Sequence, residues 1–228
     1  MMKTSDDGYV GFVPETHQYF DTDGREYRSA TTELGRRFPF DADAVAKKVS
    51  DDPRSIFFGM SVESIKAKWA ATGPEGTELH ESIEHWINTG EILKNGHEYS
   101  VGRFAESAKS RFCSSKLRSE IILYDSRLLL AGTADLLEFR KDVIAVWDIK
   151  TSRRIDQHKL LKYSMQLELY RIWAEQIYDK PAIVEGIVWF RNYIENRRCD
   201  PVILRPMRCI EDIEALEEER RDELLLAS

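Results

Sequence analysis

The chain has 228 residues, 42% hydrophobic and 32% charged, with ten Phe, nine Tyr and five Trp. This is enough apolar material for one sizeable core, and it excludes a chain disordered by composition. The formal net charge of -7 argues against coating nucleic acid by bulk attraction, and no apolar run approaches a membrane span.

His17–Ser29 reads as a hairpin around an Asp21-Thr-Asp-Gly24 turn. Thr31–Arg37 and Asp41–Ser50 read as short helices on either side of Phe38-Pro39-Phe40. Ser61–Ala71 is a further helix, with Val62, Ile65 and Trp69 at helical spacing. Thr72-Gly-Pro-Glu-Gly76 breaks it, and a new helix is predicted over Thr77–Asn88 with Leu79, Ile83, Trp86 and Ile87 as its stripe. Ser100–Lys116 is again helical through Phe104, Ala108 and Phe112.

The period then changes. Ser119–Tyr124, Leu128–Phe139 and Val143–Ile149 read as three consecutive strands, and Val143–Trp147 is apolar enough to be buried on both faces. A helix is expected over Lys159–Ile177, with Leu160, Tyr163, Leu167, Tyr170 and Ile177 recurring at helical spacing. Pro181 introduces a strand, Ile183–Phe190; Val202–Leu204 pairs beside it, and Cys209–Leu226 closes as a helix. Trp69, Trp86 and Trp173 are assigned to the core. The order predicts an α/β (α+β) fold, a sheet covered by helices. Residues 1–75 form a hairpin and helical region of the same domain, and 76–228 its core.

Cys113, Cys199 and Cys209 are too few for a disulfide framework or a four-cysteine iron–sulfur cluster, and read as reduced thiols. With Met1–Val10 polar rather than signal-like, the protein is expected to be intracellular and cytoplasmic. Its charge is unevenly spread. Lys150–Arg171 holds six basic residues against two acids, and Trp189–Arg208 holds five Arg against two acids; Glu211–Glu223 holds eight acids and two Arg. The basic stretches suit phosphate, although solvated helix faces account for them equally.

The chemistry lies in the meander. Asp135 interrupts one apolar strand and Asp148 ends the next. With Arg140-Lys-Asp142 as the turn, antiparallel pairing puts Asp135 beside Trp147 or Asp148, and cross-strand Cβ atoms are about 5 Å apart. Two buried carboxylates so close need a proton or cation between them, and a hard divalent ion answers that need. Period-2 alternation returns Lys150 to the Asp148 face, where it can orient or deprotonate a water or neutralise charge on a phosphate. Acid, acid and lysine on one face suit metal-assisted phosphodiester hydrolysis; a salt-bridged sheet rim accounts for any one of them alone.

Gly132-Thr-Ala-Asp135 followed by Asp148-Ile-Lys150 resembles the PD-(D/E)XK nucleases. Gly76-Thr-Glu-Leu-His80 upstream and Gln166-Leu-Glu-Leu-Tyr170 downstream resemble the marks of its RecB-like branch, which takes in Cas4-type and mitochondrial-genome-maintenance exonucleases. His17–Thr32 is similar to the start of phage-encoded members. The set has spacings of 55, 13, 2, 16 and 4 residues from His80 to Tyr170. The resemblance implies a restriction-endonuclease-like central mixed sheet flanked by helices. It also implies Mg²⁺ or Mn²⁺, and a DNA substrate, single-stranded or with free ends. His80, Asp135, Asp148 and Ile149 form its metal set, and Glu120 resembles the superfamily's upstream acid. Asp135, Asp148, Lys150 and Glu120 form its catalytic set. Gln166 and Tyr170 share a helix face, to contact DNA or orient Lys150, and Arg153 and Arg154 are candidate phosphate contacts. Cas4-like relatives carry four cysteines, so three place this chain with the cluster-free members. An exonuclease of recombination, repair or phage DNA metabolism is expected; the alternative is a non-catalytic nucleic-acid-binding or assembly protein on the same fold.

Overall fold

Side-chain caps set where most of the helices begin. Ser29, Asp41, Ser61 and Asp156 each accept a hydrogen bond from the backbone N–H three residues on, and each stands just before a helix. The computed structural model describes residues 3–71, 73–111, 116–191, 193 and 198–227. Thr72, Phe112 and Cys113, and Arg197 among the five Arg of Trp189–Arg208, lie outside the described residues. In chain order the elements are β1 (Lys3–Thr4), β2 (Val10–Val13), β3 (Gln18–Asp21), β4 (Glu26–Ser29), α1 (Ala30–Arg37), α2 (Ala42–Asp51) and α3 (Val62–Ala70). Then come α4 (Gly73–Thr89), α5 (Glu98–Arg111), β5 (Lys116–Asp125), β6 (Leu130–Phe139) and β7 (Ile144–Lys150). Last are α6 (Gln157–Tyr178), β8 (Ala182–Trp189), β9 (Val202–Leu204) and α7 (Ile210–Ala227).

Two differences from the sequence reading have simple causes. Helix α4 starts at Gly73 rather than Thr77, because Pro74 in a first turn gives up an N–H that has no helical partner there anyway. Strands β1 and β2 are absent from the reading: β1 has two residues, and β2, though as long as β3 and β4, lacks the Asp-Gly turn that marks their hairpin.

Among the described residues nine strands form one mixed sheet, in the order β1-β2-β3-β4-β6-β7-β8-β9, with β5 also on β6. Strand β5 takes one whole edge of β6, from Lys116↔Phe139 to Asp125↔Leu130. The other edge is shared. Strand β4 pairs in parallel at Leu130 and Ala131, and β7 pairs antiparallel from Leu136 to Phe139. Residues 132–135 therefore lie in a fork between two partners.

Helices α1, α6 and α7 cover one face, burying Leu34, Leu137, Val146, Leu167, Trp173 and Leu216. Helices α4 and α5 cover the other, over Leu79, Ile83, Phe104, Leu136, Trp147 and Ile149, with Trp86 packed against them. Trp69 corrects the reading: it is partly exposed and rests on Phe40 and Phe57, outside these clusters. His97 is fully buried, bonded to Tyr193 and, at 3.0 Å, to Glu78, and so ties α4 to the start of α5. Cys199 and Cys209 are free, buried thiols. No helix among the described residues is long and apolar enough to cross a membrane.

The last helix clasps the first third of the chain. Glu223 of α7 accepts hydrogen bonds from Arg36, Arg28 and Arg220, and these cations hold its carboxyl down at about 2. Arg220 also donates to the Leu128 carbonyl at 2.9 Å.

Strand β6 requires a glycine in its fork. A Cβ built on Gly132 would meet the Tyr170 hydroxyl at 2.6 Å and ring carbons at 2.7 and 3.0 Å, so the tyrosine of α6 lies flush on the strand. Gly132→Ala should destabilise the protein by about 1–3 kcal/mol through overpacking, read as a lower midpoint in urea unfolding. An unchanged midpoint would mean that Tyr170 moves aside freely.

Candidate active site

The fork assembles groups from both sides of the sheet. Between the pairs Ser119↔Leu136 and Ile121↔Ala134, Glu120 faces Asp135, and Glu120 holds a left-handed φ of 54°. The faces of both strands change there. Leu117 packs with the α4–α5 cluster, whereas Ile121, four residues on, packs with the α6 cluster; in β6, Leu136 and Ala134 divide the same way. Regular alternation would keep each pair on one face. A left-handed residue other than Gly, Asn or Asp in mid-strand is strained, and such strain concentrates at functional sites.

Asp135 crosses the fork. Its Oδ2 accepts the Ile149 N–H at 2.7 Å, and its Oδ1 lies 3.8 Å from Nδ1 of His80 on α4. His80, Glu120 and Asp135 each offer a ligand atom, all within 4.8 Å of one another. The pairing Leu136↔Trp147 carries Asp148 alongside Asp135. Asp148 is buried; its Oδ1 accepts from Lys150 Nζ at 2.5 Å, while its buried Oδ2 has no hydrogen-bond partner among the described residues. Lys150 Nζ is also 3.9 Å from Asp135, 3.3 Å from the Ile149 carbonyl and 4.9 Å from the centre of the Tyr163 ring.

The charges explain one another. Burial raises the Asp148 carboxyl, with the Asp135 charge adding and the Lys150 ammonium opposing. Burial alone would lower Lys150, but Asp148 and Asp135 outweigh it and keep the lysine firmly charged. Glu120 is pushed up to about 7, first by burial and then by Asp135. Desolvation lowers His80 below its ordinary value, against the pull of Asp135, so the imidazole is neutral with a lone pair to give. An unpartnered buried oxygen, crowded carboxylates and a neutral imidazole are a donor set that fits a divalent cation.

The other predicted residues sit around this centre. Gln166 and Tyr170 are buried and joined at 3.3 Å, beneath Gly132 rather than on the surface. Arg153 and Arg154 are exposed on the loop after β7. Ile149 is buried, so only its main chain is available to a ligand. The sequence reading places Tyr163 only in the stripe of its helix and gives Ser152 no role, though Tyr163 lies one turn before Gln166 and so on the same helix face. Gly76 brings α4 against this loop: a Cβ there would stand 2.9 Å from the Thr151 hydroxyl.

The sequence model described as the PD-(D/E)XK nuclease superfamily matches residues 59–227. No curated protein matches the chain. Among solved structures it is similar to one titled "Crystal structure of SSO0001", at 16% identity and a TM-score of 0.35, over 87% of this chain and 85% of that one. A likeness that faint carries no argument; the family match does.

Three measurements probe this site. Folded Glu120 titrates at about 7 against an ordinary 4.5, so without metal the native state holds a proton that the unfolded chain has lost. Stability should therefore fall as pH rises from about 4.5 to about 7, and Glu120→Gln should remove its share of that fall, leaving the part due to buried Asp148. The same proton competes with a cation, so Mn²⁺ affinity measured by calorimetry should rise about tenfold from about pH 6 to about pH 8. An unchanged profile in Glu120→Gln would remove Glu120 from the site. His80→Ala should raise the Mn²⁺ concentration required while shifting metal-free stability by no more than about 0.5 kcal/mol. A large stability loss with unaltered metal dependence would make His80 a packing residue.

Proposed function

The chain belongs to the PD-(D/E)XK nuclease superfamily, and on that premise we propose that it is an exonuclease acting on single-stranded DNA or DNA ends. We infer Mg²⁺ or Mn²⁺ as its cation, and recombination, repair or phage DNA metabolism in the cytoplasm as its setting. One observation carries the reading: His80, Glu120 and Asp135 converge within 4.8 Å in the sheet fork, with Lys150 3.9 Å from Asp135. The preference for ends is supported by the ordered motifs from His80 to Tyr170, which resemble the RecB-like branch.

His80, Glu120 and Asp135 would hold the cation, with Asp148 and the Ile149 main chain beside them. Bound there, a divalent ion stabilises the negative charge that develops on the scissile phosphate. The imidazole among these donors suits Mn²⁺ better than Mg²⁺. Lys150, held charged by two carboxylates, is poorly placed to take a proton and well placed to neutralise phosphate charge. Arg153 and Arg154 meet the backbone from their exposed loop. Gln166 and Tyr170 act from below, holding β6 rather than touching DNA.

Purified protein with Mg²⁺ or Mn²⁺ should shorten end-labelled linear DNA and leave circular DNA intact. Cleavage of circles would replace the exonuclease reading by an endonuclease one. Asp135→Asn should abolish cleavage with the fold preserved, because an amide oxygen can still accept the Ile149 N–H; undiminished activity would defeat the site assignment. Lys150→Ala should lower kcat by about 10²–10³ with little change in DNA affinity, as expected of a group that acts on developing charge. A loss confined to binding would make Lys150 a phosphate contact only.

A further inference from the structure

Lys150 has an aromatic ring for a wall. Its Nζ lies 4.9 Å from the centre of Tyr163, within range of a cation–π contact. Both groups are shielded: the lysine side chain is 18% exposed, and Tyr163 packs partly against the α6 cluster. The Tyr163 hydroxyl shares a 3.0 Å hydrogen bond with Ser152 Oγ, and the Ser152 carbonyl accepts the Trp189 indole N–H at 2.6 Å. One side chain thus touches the ammonium with its face and the loop bearing Arg153 and Arg154 with its edge.

We propose that Tyr163 is a positioning residue: its ring fixes where the Lys150 ammonium stands, and its hydroxyl fixes the loop that follows. The inference rests on the nuclease reading for its kinetic consequences but on geometry for the contact itself. Lysine has four rotatable side-chain bonds and a compact charge, so it needs external restraint to act at one point. Asp148 restrains Nζ from one side. A cation drawn to the same carboxylate would compete for that hold, and the ring of Tyr163 would keep its own. The two halves of the contact separate by substitution. Tyr163→Phe keeps the ring and loses the bond to Ser152; Tyr163→Leu loses both.

Tyr163→Leu should lower kcat about tenfold or more with KM changed by no more than about twofold. Tyr163→Phe should keep kcat within about twofold and raise KM for DNA, since the loop arginines are then less well held. An independent readout needs no turnover. In the intact protein the Lys150 ε-methylene resonances, assigned by their loss in Lys150→Arg, should be displaced upfield by the ring, remain so in Tyr163→Phe, and return to ordinary lysine values in Tyr163→Leu. Ordinary values in the unmodified protein would overturn the proposal even if Tyr163→Leu failed to fold. Equal losses of kcat in the Phe and Leu variants would overturn it too. Cleavage that survives Asp135→Asn would instead defeat the site assignment, and absence of cleavage by the unmodified protein would defeat the nuclease reading; either result would leave the Lys150–Tyr163 contact standing.

Discussion

Everything in the site depends on how one backbone N–H is satisfied. Where β6 and β7 part, Ile149 would be left with an unpaired donor in a buried strand, and an orphaned donor there costs about 1–3 kcal/mol. The Asp135 carboxylate accepts it at 2.7 Å. That single bond closes the sheet fork and commits one oxygen of Asp135, leaving the other turned toward His80. The carboxylate is thus a piece of sheet on one side and a ligand on the other, which makes its position as firm as the strands it joins.

The surrounding charges follow from that fixed point. Glu120 faces Asp135 from β5, Asp148 stands beside it on β7, and Lys150 is the nearest counter-charge. A hydrophobic sheet interior would expel so many carboxylates unless a proton, an ammonium or a metal accompanied them. Here burial and Asp135 push the Glu120 carboxyl up toward its neutral form, burial does the same to Asp148, and the ammonium of Lys150 lies against Asp148. A cation bound among these groups would favour their ionised forms and would redistribute positive charge rather than simply add it.

Much of this was legible from sequence. The pairing of Asp135 with Asp148 follows from two apolar strands and a short polar turn, and Lys150 follows from period-2 alternation; both are local. His80 was visible only by resemblance, since nothing near α4 in the chain requires it to approach β6. The fork was not legible, because its second partner, β4, lies about a hundred residues away in sequence. Nor was the change of face at Glu120, which breaks the very alternation by which strands are read. The start of α4 at Gly73 differs from the reading for a simpler reason: Gly73-Pro74 can end one helix or open another, and local sequence does not distinguish the two.

The clasp of α7 has a consequence for how the molecule comes into being. Glu223 binds Arg28 from 195 residues away, and β4 must wait for β6 before it gains a parallel neighbour. Contacts of such long range form slowly, and a ribosome releases the N-terminal segment well before it makes the partners. The hairpin and α1 thus wait during synthesis: the β4 boundary of the fork can form only after β6 is made, and the clasp that holds it only after α7. A nuclease built in this order gains its finished cleft only once α7 has been made and has docked on the arginines of β4 and α1.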